Sequence, residues 1–302
     1  MKRLILFLAL FWNLENFFDY VDSGANSSDA EFSSRGERHW TRKRFQAKCN
    51  AIAKTVFWVD DIKGGLPDVV CFAEVENRRV LQRLVDSTAL YRCGYEIVHY
   101  DSPDPRGIDC ALLYRRECCT LVSSSRIPVS GVFEGDTLRT RDILLAQLVT
   151  SDGDSIAVLV NHHPSKYGGG RQWRREMAVE RLKAVSDSLE ACGWKSRLAL
   201  GDFNDTPDNP LYDTMAPSLL PLSKDCKFGS IRFNGQWELI DLAFASPFLA
   251  PRCRFNVLRI PFLMVRDSGH SGNKPLRTYS GPRYLGGVSD HCPIFVEIRK
   301  DS

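Results

Sequence analysis

The architecture of the chain follows from one stretch, Leu198-Ala199-Leu200-Gly201-Asp202-Phe203-Asn204-Asp205-Thr206-Pro207. Its three apolar residues predict the end of a buried strand, and Gly201 predicts a sharp backbone turn directly afterwards. Asp202 and Asn204 are two positions apart, so an extended backbone directs both side chains to one side, as a base and an orienting amide. The turn residues 206–210 place this pair at an edge. A tight turn that uses both side chains for its own backbone hydrogen bonds is the alternative.

Length and composition are those of an ordinary globular protein. The chain has 302 residues, of which 43% are hydrophobic and 25% charged, so it can bury a sizeable core. No linker-like segment and no tandem repeat interrupts it, which predicts a single domain over residues 1–302. Forty basic residues against 37 acidic ones give a formal charge of +3, which excludes bulk electrostatic capture of nucleic acid but not a local basic patch.

The cysteines predict reduced thiols. Ten cysteines include no C-x-x-C pair, and Cys118 and Cys119 are adjacent, which excludes the usual paired-ligand spacing of zinc sites. Cys71, Cys110 and Cys292 lie in apolar runs, where a thiol behaves as a small hydrophobic group. We therefore expect a reducing compartment, the cytoplasm.

The N-terminus has two interpretations. Met1-Lys2-Arg3 and the apolar residues 4–11 have the basic head and apolar middle of a short signal peptide, which would export the chain. No small-x-small cleavage site follows, and the run continues directly into polar residues 13–16, so we predict a first strand instead. A membrane span needs about 18 consecutive apolar residues, and no segment of the sequence has them, which predicts no transmembrane segment.

Apolar runs alternate with amphipathic segments along the chain. Residues 4–12 form a continuous apolar run, the pattern of a central strand covered on both faces. The other predicted strands are 68–73, 95–100, 110–114, 143–150, 156–160, 198–200, 238–245, 253–260 and 293–299. The predicted helices are 40–59, 77–90 and 171–191. Because several strand pairs have no helix between them, the pattern predicts mixed sheets, with long polar loops at 20–38 and 266–287.

Polar side chains recur where these apolar runs end. They are Asn13, Glu15, Glu74, Asn161, His162, Asp202, Asn204, Asp241, Asp290 and His291. Unpaired charges at a sheet edge cost stability, so the recurrence indicates partners or a metal. Carboxylates with an amide favour a hard ion such as Mg²⁺ or Mn²⁺, and separated histidines suit proton transfer or contact with an anionic oxygen. Together they predict metal-assisted hydrolysis of a phosphoester.

Two features beside His162 refine this site. His162 and His163 would point to opposite sides of a strand, so zinc chemistry fits less well and His163 is expected to be a packed or surface residue. Lys166 and Arg171, close to the same strand end, are predicted phosphate contacts. The residues expected on the solvated face of the following helix are Arg174, Arg175 and Arg181.

Five motifs occur in a specific order along nearly the whole chain. They are Trp12-Asn13-Leu14-Glu15-Asn16, Pro67-Asp68-Val69-Val70 leading to Glu74-Val75-Glu76-Asn77, Gly201-Asp202-Phe203-Asn204-Asp205, Ile240-Asp241 and Ser289-Asp290-His291. In this order they resemble the endonuclease/exonuclease/phosphatase superfamily, the metal-dependent group that includes deoxyribonuclease I-like nucleases, abasic-site endonucleases, sphingomyelinases and inositol-phosphate 5-phosphatases. The chain departs from the pattern at Asp241-Leu242, where relatives commonly have Asp-His.

The resemblance implies a fold and a set of roles. The expected fold is α/β, a four-layer α/β/β/α sandwich of two mixed sheets with helices outside. The implied metal ligands, for Mg²⁺ or Mn²⁺, are Asn13, Glu74 and Asp290. The implied catalytic residues are His162, Asp202, Asn204, Asp241 and His291. Among these, Asp202 would align or deprotonate the attacking water, and His291, oriented by Asp241, would contact the scissile phosphate.

Further stretches resemble a bacterial branch of this superfamily, namely 36–40, 102–109 and 277–279. They imply four substrate-binding residues, Arg106, Asp109, Arg277 and Tyr279, for which loop-stabilising hydrogen bonding is the alternative. The implied reaction is in-line attack of water on a phosphodiester, as in a nuclease, with nucleic acid as one candidate partner. A phosphomonoesterase or lipid phosphodiesterase of the same fold is the first alternative, and a non-catalytic phosphoester-binding protein is the second. No protein partner follows from the sequence.

Overall fold

The structure, a computed structural model, describes residues 5–166 and 172–300. Its helices are α1 (Ser27–Glu31), α2 (Arg42–Lys63), α3 (Arg78–Asp86) and α4 (Gln172–Ala191), with short 3-10 segments at Ala89–Arg92, Pro210–Met215, Ala250–Arg252 and Pro261–Leu263. Its strands are β1 (Ile5–Phe17), β2 (Val69–Val75), β3 (Tyr95–His99), β4 (Asp109–Arg115), β5 (Cys119–Ile127), β6 (Gly131–Phe133), β7 (Asp136–Leu138), β8 (Ile143–Thr150), β9 (Ser155–His162), β10 (Arg197–Asp202), β11 (Leu220–Pro221), β12 (Ile231–Phe233), β13 (Gln236–Glu238), β14 (Asp241–Ala245), β15 (Cys253–Val257), β16 (Met264–Arg266), β17 (Asn273–Pro275), β18 (Tyr279–Ser280), β19 (Arg283–Tyr284) and β20 (Ile294–Arg299). None of the described helices has the length and apolarity that crossing a bilayer requires.

Two six-stranded sheets form the centre of the fold. The first has the order β15-β20-β1-β2-β4-β3, and the second has the order β11-β14-β10-β9-β8-β5. Each contains one parallel pair, β1 with β2 and β9 with β10, among antiparallel neighbours. The inner faces of the sheets pack against each other, α2 and α3 cover the first sheet, and α4 covers the second. The predicted sandwich of two mixed sheets is therefore confirmed.

Strand β1 shows how the sequence pattern arises. Its odd-numbered residues from Phe7 to Phe11 pack into the core between the two sheets. Its even-numbered residues from Leu8 to Trp12 pack into the second core, beneath α2 and α3. Because successive side chains of a strand face opposite sides, only a strand covered on both faces shows a continuous apolar run.

Helix α2 has both terminal signals in the sequence. It begins after Thr41, whose side chain accepts a hydrogen bond from the Arg44 amide, and it ends at Gly64, whose φ of 68° is left-handed. One face packs on β1 and β2 through an apolar stripe that includes Phe45, Cys49 and Ile52. The predicted amphipathic helix is confirmed, and it extends beyond the predicted end at residue 59 to Lys63.

Helix α4 differs from the expectation at one position. Arg175 was expected on the solvated face, but its side chain is only 8% exposed and its Nε lies 3.4 Å from Oδ2 of Asp205. The expectation was wrong because the turn after β10 folds back towards α4 and presents a buried carboxylate there. Helical spacing alone cannot reveal such a long-range partner.

Gly201 has a different role from the predicted one. It lies inside β10, and the left-handed backbone that makes the turn is at Asn204, with a φ of 52°. A Cβ atom at position 201 would lie 2.1 Å from the carbonyl oxygen of Asn161 on the neighbouring strand β9. Glycine is therefore required by the close approach of β9 and β10, not by the turn.

Some elements were missed because their sequences are polar. The edge strand β5 contains three consecutive serines and is largely exposed, yet it pairs with β8 along its length. The predicted loops contain helix α1 and two small ribbons, β16–β17 and β18–β19. All ten cysteines lie in the described ranges, and Cys71, Cys110 and Cys292 are buried, as their apolar surroundings predicted.

Candidate active site at the shared edge of the two sheets

The topology brings the predicted site residues to one edge. Strands β1, β2, β9 and β10 end there, and β14 and β20 begin there because they run antiparallel to β10 and β1. Within the second sheet, Asp202 is in register with both His162 and Asp241. The residues that meet at this edge are Asn13, Glu74, His162, Asp202, Asn204, Asp241, Asp290 and His291.

The backbone at this edge is strained. Glu15, Asn16, Glu74 and Asn204 all have left-handed backbone, with φ of 46°, 55°, 61° and 52°. The β1–β2 and β2–β4 pairings also shift register here, as in a β-bulge. Left-handed backbone costs a non-glycine residue about 1–3 kcal/mol and is concentrated at functional sites, and bulges redirect side chains. The strain therefore serves to aim polar groups at the edge.

Glu74 is held as a buried carboxylate. Its Oε2 accepts hydrogen bonds from the Asn16 amide at 2.8 Å and from Arg106 at 3.2 Å. Burial raises the pKa of Glu74, but Arg106 and the Asn16 amide outweigh it, so the pKa lies below its usual value. No described residue donates a hydrogen bond to Oε1, which leaves this oxygen available to a ligand.

Asp290 and Asn13 are further oxygen donors at this edge. Oδ2 of Asp290 lies 3.1 Å from Nη2 of Arg277, and its Oδ1 accepts no hydrogen bond from a described residue. The side-chain nitrogen of Asn13 donates to Asp202 at 3.0 Å, and its side-chain oxygen accepts a hydrogen bond from the Glu15 amide at 2.9 Å and keeps a second lone pair. Two carboxylates and an amide oxygen, without thiolate or imidazole, are the donors that Mg²⁺ and Mn²⁺ prefer. These residues fit a hard divalent cation.

A second arrangement competes for a cation. Within residues 5–166 and 172–300, two groups of residues each bring three ligand atoms within 4.8 Å of one another. The first group is Asp202, Asp241 and His291, and the second is His99, Asp101 and Asp109. In the first group, Nδ1 of His291 already hydrogen-bonds Asp241 at 2.8 Å. Nε2 of His291, 3.9 Å from Oδ2 of Asp202, remains directed at the edge, so this group stays an alternative cation site.

Asp202 is a buried carboxylate that accepts two hydrogen bonds. Its carboxylate is 2% exposed and accepts hydrogen bonds from the Asn204 amide at 2.9 Å and from Asn13 at 3.0 Å. Burial raises the pKa of Asp202 to about 7, against the lowering influence of His291 and of these hydrogen bonds. The side chain of Asn204 donates to the His163 carbonyl oxygen at 3.0 Å, which fixes its amide beside the carboxylate.

His291 forms a dyad with Asp241. Its Nδ1 lies 2.8 Å from Oδ2 of Asp241, and its Nε2 lies 3.9 Å from carboxylate oxygens of both Asp202 and Asp290. Burial lowers the pKa of His291, but Asp241 and then Asp202 outweigh burial and raise the pKa well above its usual value. Asp241 therefore fixes the ring so that Nε2 faces the edge, where it can donate to an anionic oxygen.

His162 has the opposite electrostatic setting. Burial, followed by the charges of Arg141 and Arg106, lowers the pKa of His162 well below its usual value. Its Nε2 lies 3.6 Å from Oδ2 of Asp202, and its buried Nδ1 has no hydrogen-bond partner among the described residues. A neutral imidazole with a buried unpaired nitrogen at a sheet edge is a candidate ligand contact.

Three of the predicted substrate-binding residues lie at or beside the edge. Arg106 contacts Glu74 and is 47% exposed, and Arg277 lies between Glu15 and Asp290. Lys166 is also exposed, but its Nζ lies 2.6 Å from a carboxylate oxygen of Asp205. These cations are thus arranged around the acids of the edge and its neighbouring turn.

Two others, Asp109 and Tyr279, are buried next to the edge. Asp109 is 3% exposed, accepts a hydrogen bond from the Ser102 amide and lies 3.3 Å from His99. Tyr279 is 6% exposed, and its hydroxyl donates to the Arg38 carbonyl oxygen. These contacts are of the kind that the alternative, loop-stabilising hydrogen bonding, predicts, and substrate contact by either residue stays a prediction. Arg171 lies outside the described residues.

A buried ion cluster supports the edge from behind and was not predicted. Glu15 accepts hydrogen bonds from Arg277 at 2.8 Å and from the Thr278 amide at 3.1 Å. Lys48 of α2 donates to the Glu15 carbonyl oxygen and to the Thr278 hydroxyl. Burial raises the pKa of Glu15 to about 7 and lowers the pKa of Lys48 to about 8. The available signal was a lysine next to Cys49 on the apolar face of α2.

His163 is packed, in agreement with its predicted structural role, and its burial has a consequence for acid stability. Its ring lies 4.4 Å from that of Phe203, and neither ring nitrogen has a hydrogen-bond partner among the described residues. Burial, followed by Arg141 and Arg175, lowers the pKa of His163 to about 3 from its usual 6.5. Between these values the unfolded chain binds a proton that the native ring rejects, so stability falls as pH falls.

His163→Leu is therefore expected to weaken the loss of stability on acidification. The free energy of unfolding, measured with urea at pH 7.5 and pH 5, should fall less between these values in the variant than in the native chain. The control is His39→Asn, which replaces an exposed histidine. An unchanged pH dependence in His163→Leu would show that the ring is not the group that titrates.

Solved structures of similar fold cover nearly the whole chain. An endonuclease/exonuclease/phosphatase family protein from Bacteroides thetaiotaomicron shares 20% identity, with a TM-score of 0.61 and 98% of each chain covered. A mannosyl-6-phosphatase from the same species shares 19%, with a TM-score of 0.60, 97% of this chain and 100% of that chain covered. TDP2 from D. rerio, solved with a single-strand DNA product, shares 13% identity with a TM-score of 0.58. The match covers 97% of this chain and 99% of that chain. At such identities the likeness concerns the fold alone.

The amino-acid sequence was also compared with curated proteins and with models of protein families. No curated protein sequence matches this chain. A sequence model of the Endonuclease/Exonuclease/phosphatase family matches residues 8–300, a range that includes all the residues assembled at the edge. The chain therefore belongs to the Endonuclease/Exonuclease/phosphatase family.

Proposed function

We propose that this protein is a divalent-metal-dependent phosphoester hydrolase that works by in-line attack of water. The observation that carries the proposal is the juxtaposition, at one edge, of a buried Asp202 with the His291–Asp241 dyad and with the carboxylates of Glu74 and Asp290. The first group suits proton transfer and the second suits a cation. A phosphoester hydrolase needs both, because water must be activated and negative charge must be stabilised.

In this proposal each side chain has a defined task. Asp202 accepts the proton of the attacking water, and Asn204 holds both that water and a phosphate oxygen. His291, fixed by Asp241, donates a hydrogen bond from Nε2 to a phosphate oxygen as negative charge develops. Neutral His162 contacts the same phosphate group.

The proposed metal ligands are Asn13, Glu74 and Asp290, with Mg²⁺ or Mn²⁺ as the ion. When bound there, the ion would supply Lewis-acid stabilisation of charge on the phosphate oxygens. Arg106 and Arg277 flank Glu74 and Asp290 and would hold these carboxylates in place while also attracting an anionic substrate.

Two classes of phosphoester are the leading candidates for the substrate. A phosphodiester is our first candidate, and the similarity in fold to TDP2 with its single-strand DNA product is compatible with it. A phosphomonoester is the second, because the edge adjoins a compact cavity and one structure of similar fold is a mannosyl-6-phosphatase. A lipid phosphodiester and non-catalytic binding of phosphoesters are further alternatives.

A substrate panel tests the proposal. The chain is assayed with bis(4-nitrophenyl) phosphate, 4-nitrophenyl phosphate, plasmid DNA and sphingomyelin, each with Mg²⁺ and with EDTA. We expect hydrolysis of bis(4-nitrophenyl) phosphate that EDTA abolishes and that renewed Mg²⁺ restores. Activity limited to the monoester or to sphingomyelin would select that alternative. Failure to hydrolyse any of the four with Mg²⁺ or Mn²⁺ would contradict the enzymatic proposal.

A further inference from the structure

Arg141, which the sequence analysis did not single out, joins the two sheets at their shared edge. It lies two residues before β8 of the second sheet, and its side chain is 9% exposed. Nη1 donates to Oδ2 of Asp104 at 2.9 Å, in the loop between β3 and β4 of the first sheet. Nη2 donates to the carbonyl oxygen of His163 at 2.7 Å, directly after β9 of the second sheet. One buried guanidinium therefore fixes how these two segments lie relative to each other.

The contact with His163 leads to Asn204. The His163 carbonyl oxygen also accepts the hydrogen bond from the Asn204 side chain, at 3.0 Å. A carbonyl oxygen has two lone pairs, so Arg141 and Asn204 can share it. The His163 amide in turn donates to the Asp202 carbonyl oxygen at 2.8 Å. Arg141 thus holds the carbonyl group that orients the Asn204 amide beside Asp202.

The contact with Asp104 leads to Arg106. Oδ1 of Asp104 accepts a hydrogen bond from the Arg106 amide at 2.9 Å, while Oδ2 accepts the hydrogen bond from Arg141. The Arg106 side chain then donates to Oε2 of Glu74 at 3.2 Å. Each oxygen of Asp104 therefore has one task, to hold the loop to Arg141 or to hold the backbone of Arg106. The place of the Arg106 guanidinium beside Glu74 depends on this ion pair.

The ion pair is buried on both sides. The side chain of Asp104 is 5% exposed and that of Arg141 is 9% exposed. Charge-assisted hydrogen bonds are shorter and stronger than neutral ones, and a planar guanidinium holds two acceptors at a fixed angle. Removal of either partner leaves the other buried and unpaired, which favours a shift of the loop.

From these contacts we infer that Arg141 is a positioning residue, which acts on the reaction through Arg106 and Asn204. The inference rests on the proposed function, in which Arg106 holds Glu74 and attracts the anionic substrate, and Asn204 holds the attacking water and a phosphate oxygen. Arg106 comes from a loop of the first sheet, and Asn204 follows β10 of the second sheet. Their separation is therefore set by a contact between the sheets, and Arg141 provides that contact.

Arg141→Gln tests the inference first. We expect kcat/KM for bis(4-nitrophenyl) phosphate with Mg²⁺ to fall by about tenfold or more, the effect of losing a hydrogen bond to a charged group. The matched control is Arg139→Gln, which removes the same charge from an exposed side chain two residues earlier. Native kcat/KM is expected in the control. Native kcat/KM in a folded Arg141→Gln protein would overturn the inference.

Asp104→Asn is a milder variant that keeps the inference testable if Arg141→Gln does not fold. It preserves the size of the side chain and one oxygen for the Arg106 amide, but it removes the acceptor of Arg141. Thermal unfolding checks that the variant is folded. A fall in kcat/KM of about tenfold is expected, because one charge-assisted hydrogen bond is lost.

A double-mutant cycle separates positioning from a general loss of structure. In a protein that carries Arg106→Ala, Asp104→Asn should lower kcat/KM by less than about twofold, because no guanidinium is left to be positioned. A purely structural role would lower kcat/KM by the same factor in both backgrounds. Equal factors would therefore overturn the inference.

Crystal structures of the variants distinguish this inference from the proposed function, since they require no turnover. The Arg106 guanidinium should move by at least about 1 Å in Asp104→Asn and in Arg141→Gln, and the Asn204 amide should move as far in Arg141→Gln, because misplacement of this size is enough to slow a reaction. Arg139→Gln should superpose on the native chain. Such displacements would support the inference even if no phosphoester were hydrolysed. Unmoved Arg106 and Asn204, together with Mg²⁺-dependent turnover by the native chain, would overturn the inference and leave the hydrolase intact.

Discussion

Asp202→Asn is expected to lower kcat with bis(4-nitrophenyl) phosphate and Mg²⁺ by about 10²–10⁴-fold, the range lost when a general base is removed. The amide retains an oxygen for the Asn204 backbone amide but cannot take a proton from water. Steady-state kinetics with purified protein measure the change. Circular dichroism and thermal unfolding should show a folded variant, because the substitution preserves the size of a buried side chain.

The matched control for this variant is Asp208→Asn. Asp208 lies in the same turn but is exposed, so the loss of one negative charge there should leave kcat unchanged. If Asp202→Asn retained near-native kcat while Asp208→Asn behaved as expected, Asp202 would not be the base. Equal losses in both variants would indicate a general effect of charge on the turn.

Glu74→Gln has the second large expected effect, on metal affinity. Replacing this buried carboxylate with an amide removes the negative charge of a proposed metal ligand. Mn²⁺ affinity should therefore fall by at least about 100-fold, the upper range of the loss seen when a residue that only supports metal ligands is mutated. Electron paramagnetic resonance of free Mn²⁺ measures the affinity. The metal-dependent kcat/KM should fall with it, and a higher Mn²⁺ concentration should restore part of it.

Glu96→Gln is the control for Glu74→Gln. Glu96 is an exposed residue of β3 whose carboxylate lies 3.6 Å from Arg116, and exposed pairs of this kind contribute little to stability. Native Mn²⁺ affinity is expected in Glu96→Gln. A Glu74→Gln protein with native affinity would place the ion elsewhere, with Asp202, Asp241 and His291 as the nearest alternative group.

Much of the architecture could be predicted because burial leaves a pattern along the chain. A strand covered on both faces, such as β1, is apolar at every position, and its polar continuation at Asn13 marks the edge of the sheet. The same change from apolar to polar residues occurs at Glu74, His162 and Asp202, so candidate members of the site could be named from the sequence. Their arrangement follows from the parallel and antiparallel pairings of the two sheets.

What the sequence could not supply depends on long-range contacts and on backbone conformation. The left-handed backbone of Glu74 could not be predicted from its residue type, because glycine or asparagine usually occupies that conformation. Glu15 was recognised as a polar strand end, but its pairing with Arg277 joins residues 262 positions apart. The role of Gly201 likewise depends on Asn161 of a neighbouring strand. Such features become visible only when the strands are placed side by side.

The central claim is that oxygen ligands from β1, β2 and the segment before β20 hold one divalent cation beside Asp202 and His291. A crystal grown or soaked with Mn²⁺ and measured for anomalous scattering tests it most directly. The account predicts one strong peak within about 2.0–2.3 Å of carboxylate oxygens of Glu74 and Asp290 and close to the Asn13 carbonyl oxygen. A peak bound instead by Asp202, Asp241 and His291, or no peak at this edge, would contradict it.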